Sequence, residues 1–241
     1  MMISPQLQAK FETMIADATE YCACVNLNLY DSSSCSSLAT QASSGRHLQI
    51  CSKTITDQAI KVKLCEDGYF CWLPVQDISQ LEPTVITYQA ETVSSEQIQT
   101  QIPTVIAFTI AAMQQPNYYL WGGTVAPNYD CSGLMQAAFS MSGIWLPRDS
   151  YQQAAFCQNV EFDQLLPGNL VFFATTDKIN HVGLYLGEGN YIHSSGKTTG
   201  RNGIAIDSIS HPQDAIAKTY YQQLKSAGRV KSSYQPPLIN S

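Results

Sequence analysis

Polar and apolar positions alternate along the first third of the chain. Tyr21 to Tyr30 reads YCACVNLNLY, and Arg46 to Ser52 and Ile60 to Leu64 repeat the pattern in shorter form. Alternation at a period of two marks half-buried strands, and clusters such as DSSSCSS and ASSG supply turns between them. Many short strands in so short a stretch predict a small β-barrel over residues 15–86. The period is lost from Glu82 to Ser95, which reads as a linker. From Glu96 to Gln115, Ile98, Ile102, Val105, Ile106, Phe108, Thr109, Ala112 and Met113 follow helical spacing. Pro103 kinks that helix or marks its start. Cys131 to Gly143 predicts a second, apolar helix closed by Gly143. Leu170 to Ala174, Val182 to Leu186 and Tyr191 to His193 predict strands joined by glycine-rich turns. Helices first and antiparallel strands after them make an α+β domain, expected over residues 96–232.

Composition narrows the function. With 241 residues, 44% apolar and 13% charged, the chain can bury a core and is not disordered. A net charge of −6, with no block of lysine or arginine, argues against nucleic acid as a partner and for a small ligand or peptide. Gln6, Gln8, Lys10, Glu12 and Asp17 interrupt the first apolar stretches, so no signal peptide and no membrane span are expected and the cytoplasm is the expected location. In that compartment the eight cysteines are read as thiols. Six of them precede residue 72, where they are expected to act as small buried hydrophobes. No Cys-x-x-Cys spacing occurs, and neither a metal nor another cofactor is expected.

Asp130-Cys131-Ser132-Gly133 opens the second predicted helix. A thiol at a helix N-terminus feels the positive end of the helix dipole and free amides, which favour the thiolate. Histidine is the usual partner of such a thiol. His181 and His193 bracket HVGLYLGEGNYIH, and a turn at Gly187-Glu188-Gly189-Asn190 folds the two strands back on each other. One imidazole can then face the thiol while the other orients it. A thiolate–imidazolium pair is expected in the free protein.

Six segments in order carry a resemblance: Tyr119-Leu120-Trp121-Gly122-Gly123, Asp130-Cys131-Ser132-Gly133-Leu134, Leu146-Pro147-Arg148-Asp149-Ser150, Leu166-Pro167-Gly168-Asn169-Leu170-Val171-Phe172-Phe173, His181-Val182-Gly183-Leu184-Tyr185 and Tyr191-Ile192-His193. Together they resemble the NlpC-type cell-wall peptidases, papain-like enzymes that cut peptidoglycan peptides. Val25 to Tyr30 and Asp67-Gly68-Tyr69 followed by Trp72-Leu73 resemble a bacterial SH3-like domain. The combination is similar to the γ-D-glutamyl-L-diamino acid endopeptidases, cyanobacterial ones included. It implies cleavage between γ-D-glutamate and meso-diaminopimelate in murein tripeptides or tetrapeptides with a free N-terminal L-alanine, inside the cell. A related papain-like amidase or acyltransferase, or a wall-binding module without activity, is the alternative.

The resemblance implies Cys131 as nucleophile, His181 as general base and His193 as the orienting group. It adds the Tyr119 hydroxyl to the Cys131 backbone N–H as oxyanion donors. Asp130 either caps its helix or also holds the ammonium of L-alanine, with Tyr69 completing that pocket. Ser132, Asp149 and Ser150 are implied to touch substrate. Arg148 pairs either with a substrate carboxylate or with a surface acid, Glu66 has no assigned place, and His47 and His211 are read as surface or loop residues. Asn169 stands where the family has aspartate, so a changed local hydrogen bond is expected without loss of activity.

Overall fold

The structure, a computed structural model, describes residues 4–17, 20–198 and 200–237. They form two units, one of residues up to 90 together with residues 235–237, the other of Glu91–Tyr234. No helix among the described residues is long and apolar enough to cross a membrane.

The first unit opens with helix α1, Pro5–Asp17, and continues in seven strands: β1 (Tyr21–Ala23), β2 (Leu27–Tyr30), β3 (Leu38–Ala42), β4 (His47–Ile50), β5 (Ala59–Leu64), β6 (Phe70–Pro74) and β7 (Leu81–Pro83). They make one antiparallel sheet in the order β3-β2-β6-β5-β4-β1-β7. Leu27, Leu29, Leu48, Val62, Leu64 and Leu73 from its strands meet Phe11 and Met14 of α1 in one core, the SH3-like arrangement. The alternating run at Tyr21 to Tyr30 is two strands, not one, because the chain leaves the sheet between Ala23 and Leu27. Pro83, read as linker, ends strand β7, which pairs with β1.

Of the six early cysteines only Cys71 is buried. Cys24 and Cys51 are exposed and Cys22, Cys35 and Cys65 lie between, so the expectation of buried thiols fails here. Cys24 and Cys51 sit just past the ends of β1 and β4, where the alternation that hides every second side chain no longer applies. All eight thiols are free. His47 is no loop residue: it lies on β4 with Nδ1 2.5 Å from the buried Glu20 carboxylate. Glu66 is buried too. It accepts from Arg46 at 3.2 Å and from the His47 backbone N–H at 2.7 Å, while Asp67 takes Arg46 at 3.0 Å. This paired cluster holds the turn at Gly68, whose φ of +69° suits glycine and where a Cβ would lie 2.7 Å from Pro236.

The second unit places helix α2 (Ser95–Gln114) before the short ladder β8 (Thr124–Val125) and β9 (Asn128–Tyr129). Helices α3 (Cys131–Ser140) and α4 (Ser150–Phe156) follow. Then come strands β10 (Gln158–Val160), β11 (Leu170–Phe173), β12 (His181–Gly187), β13 (Asn190–Ser195) and β14 (Gly203–Ser208), helix α5 (Ala215–Gln223) and strand β15 (Leu224–Arg229). The six strands form an antiparallel sheet in the order β10-β15-β11-β12-β13-β14, giving the α+β class. Ser94 caps α2 with Gln97, so Pro103 lies inside the helix on its exposed side and does not start it. Helix α3 is apolar nearly all round because it is enclosed: Leu134, Met135, Ala138 and Phe139 are fully buried between α2 and the sheet.

Candidate active site

The loop before α3 prepares the nucleophile's position. Strand β9 runs straight into Asp130, whose Oδ1 caps the helix by accepting from the Gly133 N–H at 2.6 Å. Its Oδ2 accepts from the Gly122 N–H at 2.9 Å. A Cβ on Gly133 would sit 2.0 Å from the Gly123 carbonyl oxygen, so the Trp121-Gly122-Gly123 backbone crosses the helix start only because residue 133 is glycine. Arg148 locks the arrangement from below. Its guanidinium reaches both Asp130 oxygens, at 3.2 and 2.5 Å, and the Ser132 hydroxyl at 3.0 Å. At 2% exposure Arg148 is no surface group, and it is committed to Asp130. Ser132 and Ser150 are buried as well, and Asp149 starts α4 in a capping box with Gln152.

Cys131, the first residue of α3, is 6% exposed. Helix α3 packs on β12, whose first residue is His181. The register that pairs Leu184 with Ile192 on β12 and β13 puts His193 level with Gly183 and His181 one pleat away on the same face. A diagonal pair of long side chains can meet there, and His181 Nε2 lies 2.7 Å from His193 Nδ1. Gly183 leaves the room, since a Cβ there would be 3.3 Å from the His193 Cβ and 2.6 Å from the Tyr191 ring. Tyr220 covers both imidazoles at 4.7 and 4.9 Å, and Phe173 stands 5.6 Å from His181.

This box sets the protonation states. Burial, helped by the charge of Asp130, pushes the Cys131 thiol up to about 12, against the backbone N–H groups of Val182 and Ser132 that favour the thiolate. Burial and the neighbouring His193 hold His181 well below the usual 6.5, and burial also lowers His193. Both directions favour the neutral thiol and the neutral imidazole over the expected thiolate–imidazolium pair, because desolvation works against the helix terminus. Tyr119 is driven up by burial and by Cys131 and Asp130, so its hydroxyl stays a proton donor.

Sequence reasoning missed the third partner. His193 Nε2 is 2.9 Å from Asp207 Oδ2 on β14, and Asp207 is paired with Arg201. Only the alternation of GIAIDS hinted at an inward Asp207. Asn169 accepts from the Leu166 N–H on Oδ1 at 3.0 Å and closes the Pro167-Gly168 turn. Tyr69 is half-buried against the first unit's core. His211 lies in an exposed loop. A cavity of about 430 Å³ adjoins His181, lined among others by Tyr119, Trp121, Asn180, Lys197 and Tyr220. Lys197 is the one charged residue on its wall among the described residues, and none of Asp130, Ser132, Asp149 and Ser150 reaches it.

A buried cysteine opening a helix, with a histidine pair on the antiparallel sheet it packs against, is the papain-like arrangement. Residues 116–225 match the NlpC/P60 family and residues 29–78 the bacterial dipeptidyl-peptidase Sh3 domain, so the chain carries an NlpC/P60 domain, that of a family of cell-wall peptidases, behind a bacterial SH3 domain. It is 41% identical over 91 residues to the probable endopeptidase p60 of Listeria innocua, covering 38% of this chain and 18% of that protein. It is 43% identical over 79 residues to the gamma-D-glutamyl-L-lysine dipeptidyl-peptidase of Bacillus subtilis, covering 32% of this chain and 27% of that protein. A solved NlpC/P60 family protein from Bacillus cereus is 22% identical with a TM-score of 0.43, covering 95% of this chain and 67% of that one.

Proposed function

We propose that this chain is a cysteine endopeptidase that hydrolyses the γ-D-glutamyl–meso-diaminopimelate bond of murein tripeptides or tetrapeptides bearing a free N-terminal L-alanine, in the recycling of cell-wall peptides in the cytoplasm. The observation that carries the reading is the buried Cys131 against the backbone N–H of Val182, next in the chain to His181, whose ring meets His193. In the first step the Cys131 sulfur bonds to the γ-glutamyl carbonyl carbon as its proton passes to His181. The oxyanion takes the Tyr119 hydroxyl and the Cys131 backbone N–H. Collapse breaks the C–N bond, His181 returns the proton to the leaving amine, and water then cleaves the thioester.

The leaving side is read as the Lys197 cavity. It adjoins the general base, which also protonates the leaving amine, and the residues implied to hold the acyl part do not line it. A wall whose charge is one ammonium suits a leaving residue with a carboxylate at its far end and repels a lysine side chain there. This supports diaminopimelate over the lysine in the name of the Bacillus subtilis relative. Asp130, Ser132, Asp149 and Ser150 are assigned to the acyl side. Tyr69 enters on the resemblance alone, with a raised KM in Tyr69→Phe as its test. Mass spectrometry of products from L-Ala-γ-D-Glu-diaminopimelate decides the proposal. Release of L-Ala-γ-D-Glu and diaminopimelate, faster than from the lysine peptide, is expected, and an intact peptide would refute it.

A further inference from the structure

The base that takes the Cys131 proton must offer a bare ring nitrogen, and nothing in an isolated histidine decides which nitrogen that is. The structure decides it from outside the pair. Asp207 receives His193 Nε2 at 2.9 Å on Oδ2, and the same oxygen accepts from Arg201 Nε at 3.2 Å. Its Oδ1 is taken by the Arg201 Nη2. Burial pushes Asp207 up, but the hydrogen bonds from His193 and Arg201 outweigh it and hold the group below its ordinary value. An ionised carboxylate only accepts, so the proton between it and His193 sits on Nε2. A neutral His193 then has a bare Nδ1, which must accept from His181 Nε2–H across 2.7 Å. The one lone pair left in the chain of rings is on His181 Nδ1.

We propose that Asp207 and Arg201 are positioning residues that lock His181 and His193 in the tautomers leaving His181 Nδ1 as the base for Cys131. The lock rests on the hydrolase reading above. It is anchored at its outer end, where Arg201 also donates to Asp214 at 2.6 and 3.1 Å. Asp214 caps α5, and that helix carries the Tyr220 ring over both imidazoles. Tautomer and aromatic cover are thus fastened to one guanidinium.

The test is 15N NMR of histidine-labelled protein without substrate at neutral pH, with signals assigned through His181→Gln and His193→Gln. Protonated Nε2 and bare Nδ1 on both rings are expected. In Asp207→Asn, Arg201 can only donate, so the amide oxygen turns to it and the amide nitrogen faces His193 Nε2. Both rings should switch tautomer. Turnover of L-Ala-γ-D-Glu-diaminopimelate should fall by roughly 10²–10⁴-fold in kcat, as for a base held in the wrong tautomer, with KM little changed. Asp207→Glu, which restores an acceptor, should recover the original tautomers and part of kcat. A protonated His193 Nδ1 in the wild type overturns the lock. So does Asp207→Asn with unchanged tautomers, whatever its rate, because the residue then acts through structure alone. If the wild type shows the expected tautomers but cleaves no peptide, the hydrolase reading fails and the lock stands.

Discussion

At the scale of single residues the site is a contest between desolvation and polar partners. Cys131 has a helix terminus and two backbone amides to favour its thiolate, yet burial beside Asp130 prevails. Iodoacetamide labelling, followed at the Cys131 peptide, should therefore be slow at pH 7 and should accelerate steadily as pH rises. A plateau already reached by pH 7 would mean a preformed thiolate. Because His181 is held well below 6.5, the acid limb of kcat/KM should lie below pH 6.5, where the base is lost to protonation. Cys131→Ala should abolish turnover with the fold intact, and His181→Ala should lose nearly as much, since members of one catalytic unit are not additive. His193→Gln should lose less. Lys197 makes a separate prediction: Lys197→Glu should lower kcat/KM for the diaminopimelate peptide and raise it for the lysine peptide. Equal changes for both would remove Lys197 from selectivity.

At the scale of elements, α3 is the part on which the site depends. Its start is held by a buried ion pair, Asp130 with Arg148, and by the backbone crossing at Gly133. Removing one partner of a buried pair leaves an uncompensated charge, at a cost on the order of 3–5 kcal/mol. Asp130→Asn should lower unfolding stability by about that much in urea titrations, alongside any effect on substrate. The sequence offers Asp130 as a cap alone or as a cap that also holds an ammonium. The cap is observed directly, and both its oxygens already hold donors, so selectivity assays on this variant have to be read at temperatures where it is folded. Gly133→Ala offers the sharper contrast. A methyl placed 2.0 Å from a carbonyl oxygen cannot be absorbed by a rotamer change, so this smallest of substitutions should disrupt the helix start. Its circular dichroism melt would show this as a lower midpoint, whereas a wild-type melt would mean that the 122–123 crossing can move.

At the scale of the whole molecule the buried histidines tie stability to pH. His181 and His193 both titrate lower in the folded chain than in the unfolded one, where histidine returns to about 6.5. As pH falls through that value the unfolded chain takes up protons first, so stability is full above it and declines below it. The melting temperature should drop between pH 7 and pH 5, and less steeply in His193→Gln. An unchanged slope in both His193→Gln and His181→Gln would assign the decline to carboxylates.

The α+β class, the helix beginning at Cys131, the strands carrying His181 and His193 and the cap at Asp130 were legible in the chain, because period, capping residues and turn glycines act over a few neighbours. What tertiary packing decided is whatever depends on distant residues or on water. The break of the first strand at Cys24 and the exposure of Cys24 and Cys51 follow from where the strands end. His47 lies within the expected Arg46–Ser52 strand, but its pairing with Glu20, remote in sequence, is made only by the sheet. Arg148 went inside because Asp130 needed a countercharge, and Asp207 joined the histidines through strand pairing alone. The burial of Cys131 is of the same kind: a motif shows the helix terminus, but only the assembled fold shows how little water reaches it.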